Sequence, residues 1–177
     1  MLCLLFALPV RANKTVDLVL VLALDVSSSV DAREFDIQKT GLVLAFRHTA
    51  VIAAIQRGRH KRIAVAAVQW AGYRQQRVMV PWMIVGTRSE AARFSDRLAD
   101  MPRAYPDGAT HLSGVIRFAS NLALEARHAA VRRVIDISGD GKDNVRGSPQ
   151  RARDLAVAQG VTINGLAIAN ETRDLFD

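Results

Sequence analysis

Cysteine is almost missing from this chain of 177 residues: one stands at position 3, which excludes an intrachain disulfide framework and any cysteine-based zinc site. Proline is scarce, with five residues, while half of the chain is hydrophobic. That excludes a disordered or low-complexity chain, which lacks the apolar surface that offsets ordering entropy. No apolar run approaches the ~20 residues of a membrane-spanning helix. Lysine is rare too. Only Lys14, Lys39, Lys61 and Lys142 stand among the 24 cations, against 17 Asp and Glu, so the formal charge of +7 is an arginine excess. The length suits one ordinary domain and is short for two.

Residues 2–10, LCLLFALPV, are apolar, and Val10-Arg11-Ala12 follows with compact residues before a cleavage point after Ala12. Residues 1–12 therefore read as a signal peptide, with the basic start of such leaders missing as in a truncated one. A hydrophobic N-terminus docked on the domain is the other reading. Met1-Leu2 before Cys3 is not a lipoprotein-type acylation context. The leader predicts export, to a periplasm or the extracellular space.

From Asp17 onward two periodicities alternate. Leu18–Leu24 is a continuous apolar run of strand length, suited to a parallel sheet covered on both faces. A helix is expected from about Asp31 to Arg57, apolar on two sides and so deeply packed, before a solvated turn at 57–62. Ile63–Trp70 is the next strand. Val78–Val85 carries Pro81, which places it at a sheet edge, and its short connection predicts an antiparallel hairpin. Ser89 to Met101 reads as a helix capped by Ser89, and Leu112, Val115, Ile116, Ala119 and Leu122 mark another. Val134–Ser138 is a strand, a helix follows from Pro149 with Ser148 as N-cap, and Val161–Ala169 is the last strand. The order predicts an α/β fold: a doubly wound, mostly parallel sheet with one antiparallel edge strand, over residues 16–177. Ligands of such sheets bind beyond the carboxyl ends of the strands, where strand order reverses.

Three segments are expected to meet there. Asp25-Val-Ser27-Ser-Ser29 follows the first strand, Asp107-Gly-Ala-Thr110 leads into a helix, and Gly139-Asp140-Gly141 follows the fourth strand. Together they offer two carboxylates and three hydroxyls, a hard-oxygen set suited to Mg²⁺, Mn²⁺ or Ca²⁺ rather than zinc or copper. Alternate residues of a tight turn can point the same way, so D-x-S-x-S supplies three oxygens from one short segment.

At these residues the chain resembles the von Willebrand factor type A domain with its metal-ion-dependent adhesion site, over roughly residues 16–170. The resemblance implies that Ser27, Ser29 and Thr110 coordinate a divalent cation directly, with Asp25 and Asp140 acting directly or through waters. It also implies a protein partner that offers a carboxylate to the ion, and a binding module rather than an enzyme. VIDISGDGKDN is similar to a bacterial branch of this superfamily that often carries an export leader. Gly139 departs from the Thr or Ser that many relatives have before the Asp, which would alter a hydrogen bond behind the site. His111 directly follows Thr110. Type A domains usually continue with a sixth strand and a final helix, so the domain is expected to be C-terminally incomplete.

Two other classes compete. Asp25 beyond a first strand also suits α/β metal-dependent hydrolases, but haloacid-dehalogenase-like enzymes want a second Asp where Ser27 stands. No P-loop, dinucleotide fingerprint or nucleophile elbow is present. A polyanion-binding domain rests on arginine clusters at 57–62 and 127–133, which lack the interleaved aromatics of a specific nucleic-acid reader. Asp136, inside an apolar strand, is expected to need a buried partner such as an Arg or backbone donors. His48, His60, His111 and His128 lack ligand-like spacing and read as structural or exposed. Trp82 and Tyr105 suit either a recognition surface or the core.

Overall fold

The computed structural model describes residues 15–140 and 143–168. The leader reading of residues 1–12, Cys3, Gly141 and the end of the last expected strand lie outside the described residues. The elements run β1 (Val16–Asp25), α1 (Ala32–Arg47), α2 (Thr49–Gln56), β2 (Ile63–Trp70), β3 (Gln76–Val85), α3 (Arg88–Ala99), α4 (Leu112–Leu124), β4 (Ala130–Gly139), α5 (Pro149–Ala158) and β5 (Val161–Ala167). The sheet has the order β3-β2-β1-β4-β5, with β2–β3 antiparallel and the other pairs parallel. Strand order therefore reverses between β1 and β4, as the alternation of periodicities predicts.

The continuous apolar run of β1 divides by parity. Leu22 and Leu24 pack with Phe46, Ile52, Phe94 and Leu98 under α1, α2 and α3, while Val19, Val21 and Ala23 pack with Val115, Ile116 and Ala119 under α4. A strand sealed on both faces has no polar positions to spare, which is why the run shows no alternation. Phe46 and Phe94 meet edge to face with ring centroids 4.6 Å apart, joining α1 to α3 across one core.

Four expectations need correction. The single helix over 31–57 is two helices. His48 adopts an extended backbone, ending α1, and its ring nitrogen accepts from Ala50 N–H to start α2, whose turn then buries Ile52 and Ile55. The cap of α3 is Thr87 rather than Ser89: Thr87 and Glu90 exchange the two bonds of a capping box. Strand β4 starts at Ala130, because Val16 and Leu18 of β1 pair with Ala130 and Arg132, extending the ladder past the apolar stretch. Asp136 is only half-buried, and its partner is Asn164 of neighbouring β5, whose amide donates at 2.7 Å, with no arginine or backbone donor needed. Pro81 lies on the edge strand as expected, where the β2–β3 register is irregular between Val65 and Ala67.

Phe94 is fully buried at the meeting of α1, α3 and the sheet. Phe94→Ala should cost about 3–5 kcal/mol through lost transfer energy and the cavity left behind. Urea unfolding followed by circular dichroism measures this, and a loss below 1 kcal/mol would mean that the site collapses freely.

Candidate metal centre

The parallel pairing of β1 with β4 sets Leu24 opposite Ser138, so the carboxyl ends of both strands open side by side. The chain leaves β1 through an anchored loop. Val26 N–H donates to the Trp70 carbonyl, and Val26 and Val30 are buried with Phe35 and Ala71 in a small apolar cluster. With the two valines held inward, the residues between them are left to the crevice. Asp25 Oδ1 accepts from Ser27 N–H at 2.8 Å, tightening the turn.

All five oxygen-bearing residues singled out in the sequence are brought together. Thr110 Oγ1 lies 3.3 Å from Ser27 Oγ, Ser27 Oγ lies 3.2 Å from Ser29 Oγ, and Ser29 Oγ donates to Asp140 Oδ1 at 2.8 Å. Asp25 joins through its bond to the Ser27 backbone. Asp25 and Ser27 are sealed from solvent, Thr110 and Asp140 are buried, and Ser29 is exposed at the mouth. One atom stands out. Asp25 Oδ2 is buried and has no hydrogen-bond partner.

Residues that the sequence reading did not single out hold this arrangement. Arg103 Nη2 donates to the carbonyls of Ser27 at 2.9 Å, Val26 at 3.4 Å and Val30, gathering the inner side of the Asp25–Ser29 loop on one guanidinium. Asn144 clamps Thr110 from both sides of its backbone: Oδ1 accepts from Thr110 N–H at 2.8 Å and Asn144 N–H donates to the Thr110 carbonyl at 3.1 Å. Gln38 bridges the two strand ends, donating to the Asp25 carbonyl and accepting from Ser138 Oγ. Buried Gln69 pins the loop before Thr110 through the Pro102 carbonyl and Ala104 N–H. Of these, only Gln69 carried a sequence signal, as the one polar residue in an apolar strand. Arg103 is one arginine among many.

His111 is buried, in keeping with the structural alternative of the sequence reading. Its Nε2 lies 3.0 Å from Ser113 Oγ, and its ring is 5.8 Å from that of Tyr73. Trp82 and Tyr105 are both partly buried against the core. Among the described residues there is no cluster of three or more His, Cys, Asp or Glu placed to hold a metal. The donors here are instead two carboxylates and three hydroxyls.

Burial pushes the Asp25 carboxyl up to about 6, with the charge of Asp140 adding to it and hydrogen bonds from Ser27 and from the Asp140 backbone N–H opposing it. A carboxyl raised in the fold keeps its proton after the unfolded chain has lost its own. Without a cation, Asp25 should therefore destabilise the fold progressively as pH rises from about 4 to about 6, and by a constant amount of about 3 kcal/mol above that. Asp17 and Glu90, held low by backbone N–H donors against the effect of burial, work in the opposite direction. Melting curves in EDTA at pH 5 and pH 7 for the parent and Asp25→Asn cancel those two, and equal pH dependence in both proteins would contradict the account. Arg103→Met strips the Ser27 and Val30 carbonyls of their donor and should cost about 1–3 kcal/mol in the same assay.

The fold has clear likenesses among solved structures. Proximal thread matrix protein 1 of the mussel byssus, with a zinc-occupied MIDAS (metal-ion-dependent adhesion site) motif, superposes with a TM-score of 0.68 at 18% identity over 88% of this chain and 39% of that one. A von Willebrand factor type A structure from Catenulispora acidiphila gives 0.61 at 17% identity, over 87% of this chain and 34% of that one. An aerotolerance-related membrane protein from Bacteroides fragilis gives 0.58 at 19% identity, over 90% and 76%. The chain thus spans about two fifths of the mussel protein's length. No curated protein matches it in sequence. The model of the DUF1194 family, described as protein of unknown function, matches residues 15–177, and the chain belongs to that family, with the fold of a von Willebrand factor type A domain.

Proposed function

We propose that this chain is a divalent-cation-dependent protein-binding module. Ser27, Ser29 and Thr110, with Asp25 and Asp140, would hold Mg²⁺, or Mn²⁺ or Ca²⁺ in its place, and the ion would accept a carboxylate from a protein partner. The observation that carries this reading is the unpartnered Asp25 Oδ2, buried beside Asp140 and a chain of hydroxyls. A buried carboxylate oxygen without a donor is costly, and a hard cation is the ligand that relieves it while also screening its repulsion from Asp140. Neutral hydroxyls leave the ion short of negative charge, so a carboxylate from outside completes the site. The zinc reported in the MIDAS motif of the mussel protein supports a metal at this place without identifying it.

Catalysis fits the geometry less well. Ser113 and His111 make a serine–histidine contact, but Ser113 is sealed from solvent and His111 Nδ1 has no carboxylate to orient it. Export, through a leader at residues 1–12, belongs to the same proposal. No helix of the described residues is long and apolar enough to cross a membrane.

Melting curves with Mg²⁺, Mn²⁺, Ca²⁺ or EDTA test the site. A free ion at a hundredfold excess over its Kd stabilises by about 2.7 kcal/mol, a shift of several degrees for a chain of this size. Ser29→Ala should lose most of that shift while melting in EDTA close to the parent. The proposal fails if none of the three ions moves the parent.

A further inference from the structure

Two arginine clusters that lie far apart in the sequence become neighbours in the fold. Parallel strands put the segments that precede β2 and β4 at the same pole, the end where β1 begins. Asp17 N–H donates to the Arg62 carbonyl, and Val16 N–H donates to the Ala129 carbonyl. Antiparallel β3 returns to this pole as well, since Val85 pairs with Ile63 and Gln56 donates to the Gly86 carbonyl. Arg57, Arg59, Lys61, Arg88, Arg127 and Arg132 are all exposed there. Across four neighbouring strands these cations span roughly 15 Å. None of the six takes part in an ion pair among the described residues.

The nearby carboxylates offset them only in part, since Asp17, Glu90 and Glu125 stand against the six cations. Asp17 accepts from His60 N–H at 2.9 Å and 3.0 Å and from Arg62 N–H at 3.4 Å. Glu90 is taken up by Gly86 and Thr87 at the start of α3. Glu125 remains as an exposed acid at the end of α4. The Asp17 bonds also shape the loop. Lys61 is held at φ 54, in the left-handed region that disfavours a side-chain-bearing residue, and it is exposed. The loop is thus fixed in a form that presents cations.

We propose that this basic pole, opposite the candidate metal site, docks on anionic lipid headgroups. Arginine forks suit phosphate oxygens, and the pole has no Phe, Tyr or Trp in residues 57–62, 86–88 or 125–132 on which nucleic-acid bases would stack. Val131 sits 65% exposed between the cations, an apolar contact suited to a lipid surface. A module bound this way would turn its candidate metal site away from the membrane, toward a partner.

Vesicle co-sedimentation tests this with the full chain, in EDTA so that no metal contributes. The probes are phosphatidylcholine vesicles with and without phosphatidylglycerol, whose headgroup supplies the negative surface potential that attracts basic segments. The parent should bind the anionic vesicles at least about tenfold more tightly at low salt. The triple variant Arg57→Gln, Arg59→Gln, Arg127→Gln should lose on the order of a hundredfold, at about fivefold per cation. Arg33→Gln, Arg97→Gln, Arg151→Gln makes the same charge change toward the other pole and should lose only a few-fold. Matched melting curves confirm that all three proteins are folded. Equal binding to the two vesicle types overturns the proposal, as does equal loss in the two triples. Retention on heparin without a vesicle preference also overturns it, in favour of a sulfated polysaccharide. Because the assay excludes divalent cations, its outcome is independent of whether the metal site exists.

Discussion

A carboxylate placed at the end of a buried strand, with one oxygen satisfied and the other bare, is the constraint around which this fold is arranged. Asp25 has no exposed surface, and its ladder neighbour is the buried indole of Trp70. Water cannot compensate Oδ2, so the surroundings must either tolerate the cost or supply a ligand. The structure stiffens everything nearby. Arg103 gathers the carbonyls of the Asp25–Ser29 loop, Asn144 clamps Thr110, and Gln38 ties the two strand ends. Such restraints keep oxygens close together that would otherwise turn toward solvent, and this preorganisation would lower the ordering cost of binding the proposed ion.

The same parallel topology that gathers carboxylates at one end of the sheet gathers arginines at the other. Strands β1 and β4 carry Asp25 and Gly139-Asp140 out at their carboxyl ends, and Val16 and Ala130 are paired at their amino ends. Charge of opposite sign is thereby separated by the length of a ten-residue strand, about 30 Å. That is several Debye lengths in physiological salt, so the two proposed sites would act on their partners independently. The net charge of the chain averages over this separation and hides it.

The fold class and the five candidate ligands were legible in the sequence because each rests on local pattern. Unbroken apolar runs marked β1 and β2 as covered strands, Pro81 marked β3 as an edge, and D-x-S-x-S follows directly on the first of those runs. What failed to show depends on tertiary context. The break at His48 comes from α2 turning to bury Ile52 and Ile55, and neither helix has a glycine or proline there to announce it. Thr87 and Ser89 are equally good caps in isolation, and Glu90 selects Thr87 by standing three residues after it. Arg103 and Asn144 act through backbone groups far along the chain, and such contacts leave no periodicity behind. The arginine clusters were visible, but their meeting required the strand order.

Gly139 shows how a departure from the family pattern acquires a physical meaning. A Cβ at this position would lie 2.9 Å from Asp25 Oδ2 and 3.2 Å from the Trp70 ring, so the backbone passes close against the carboxylate. A serine or threonine would need a shift of a few tenths of an ångström, and its hydroxyl would then reach Oδ2 as a donor. Glycine permits the close approach and withholds that donor. The expected alteration behind the site is therefore specific: it removes the group that could satisfy Asp25 from within the protein. If the proposed site holds a cation, it would lean more heavily on that ion than one with a hydroxyl at this position.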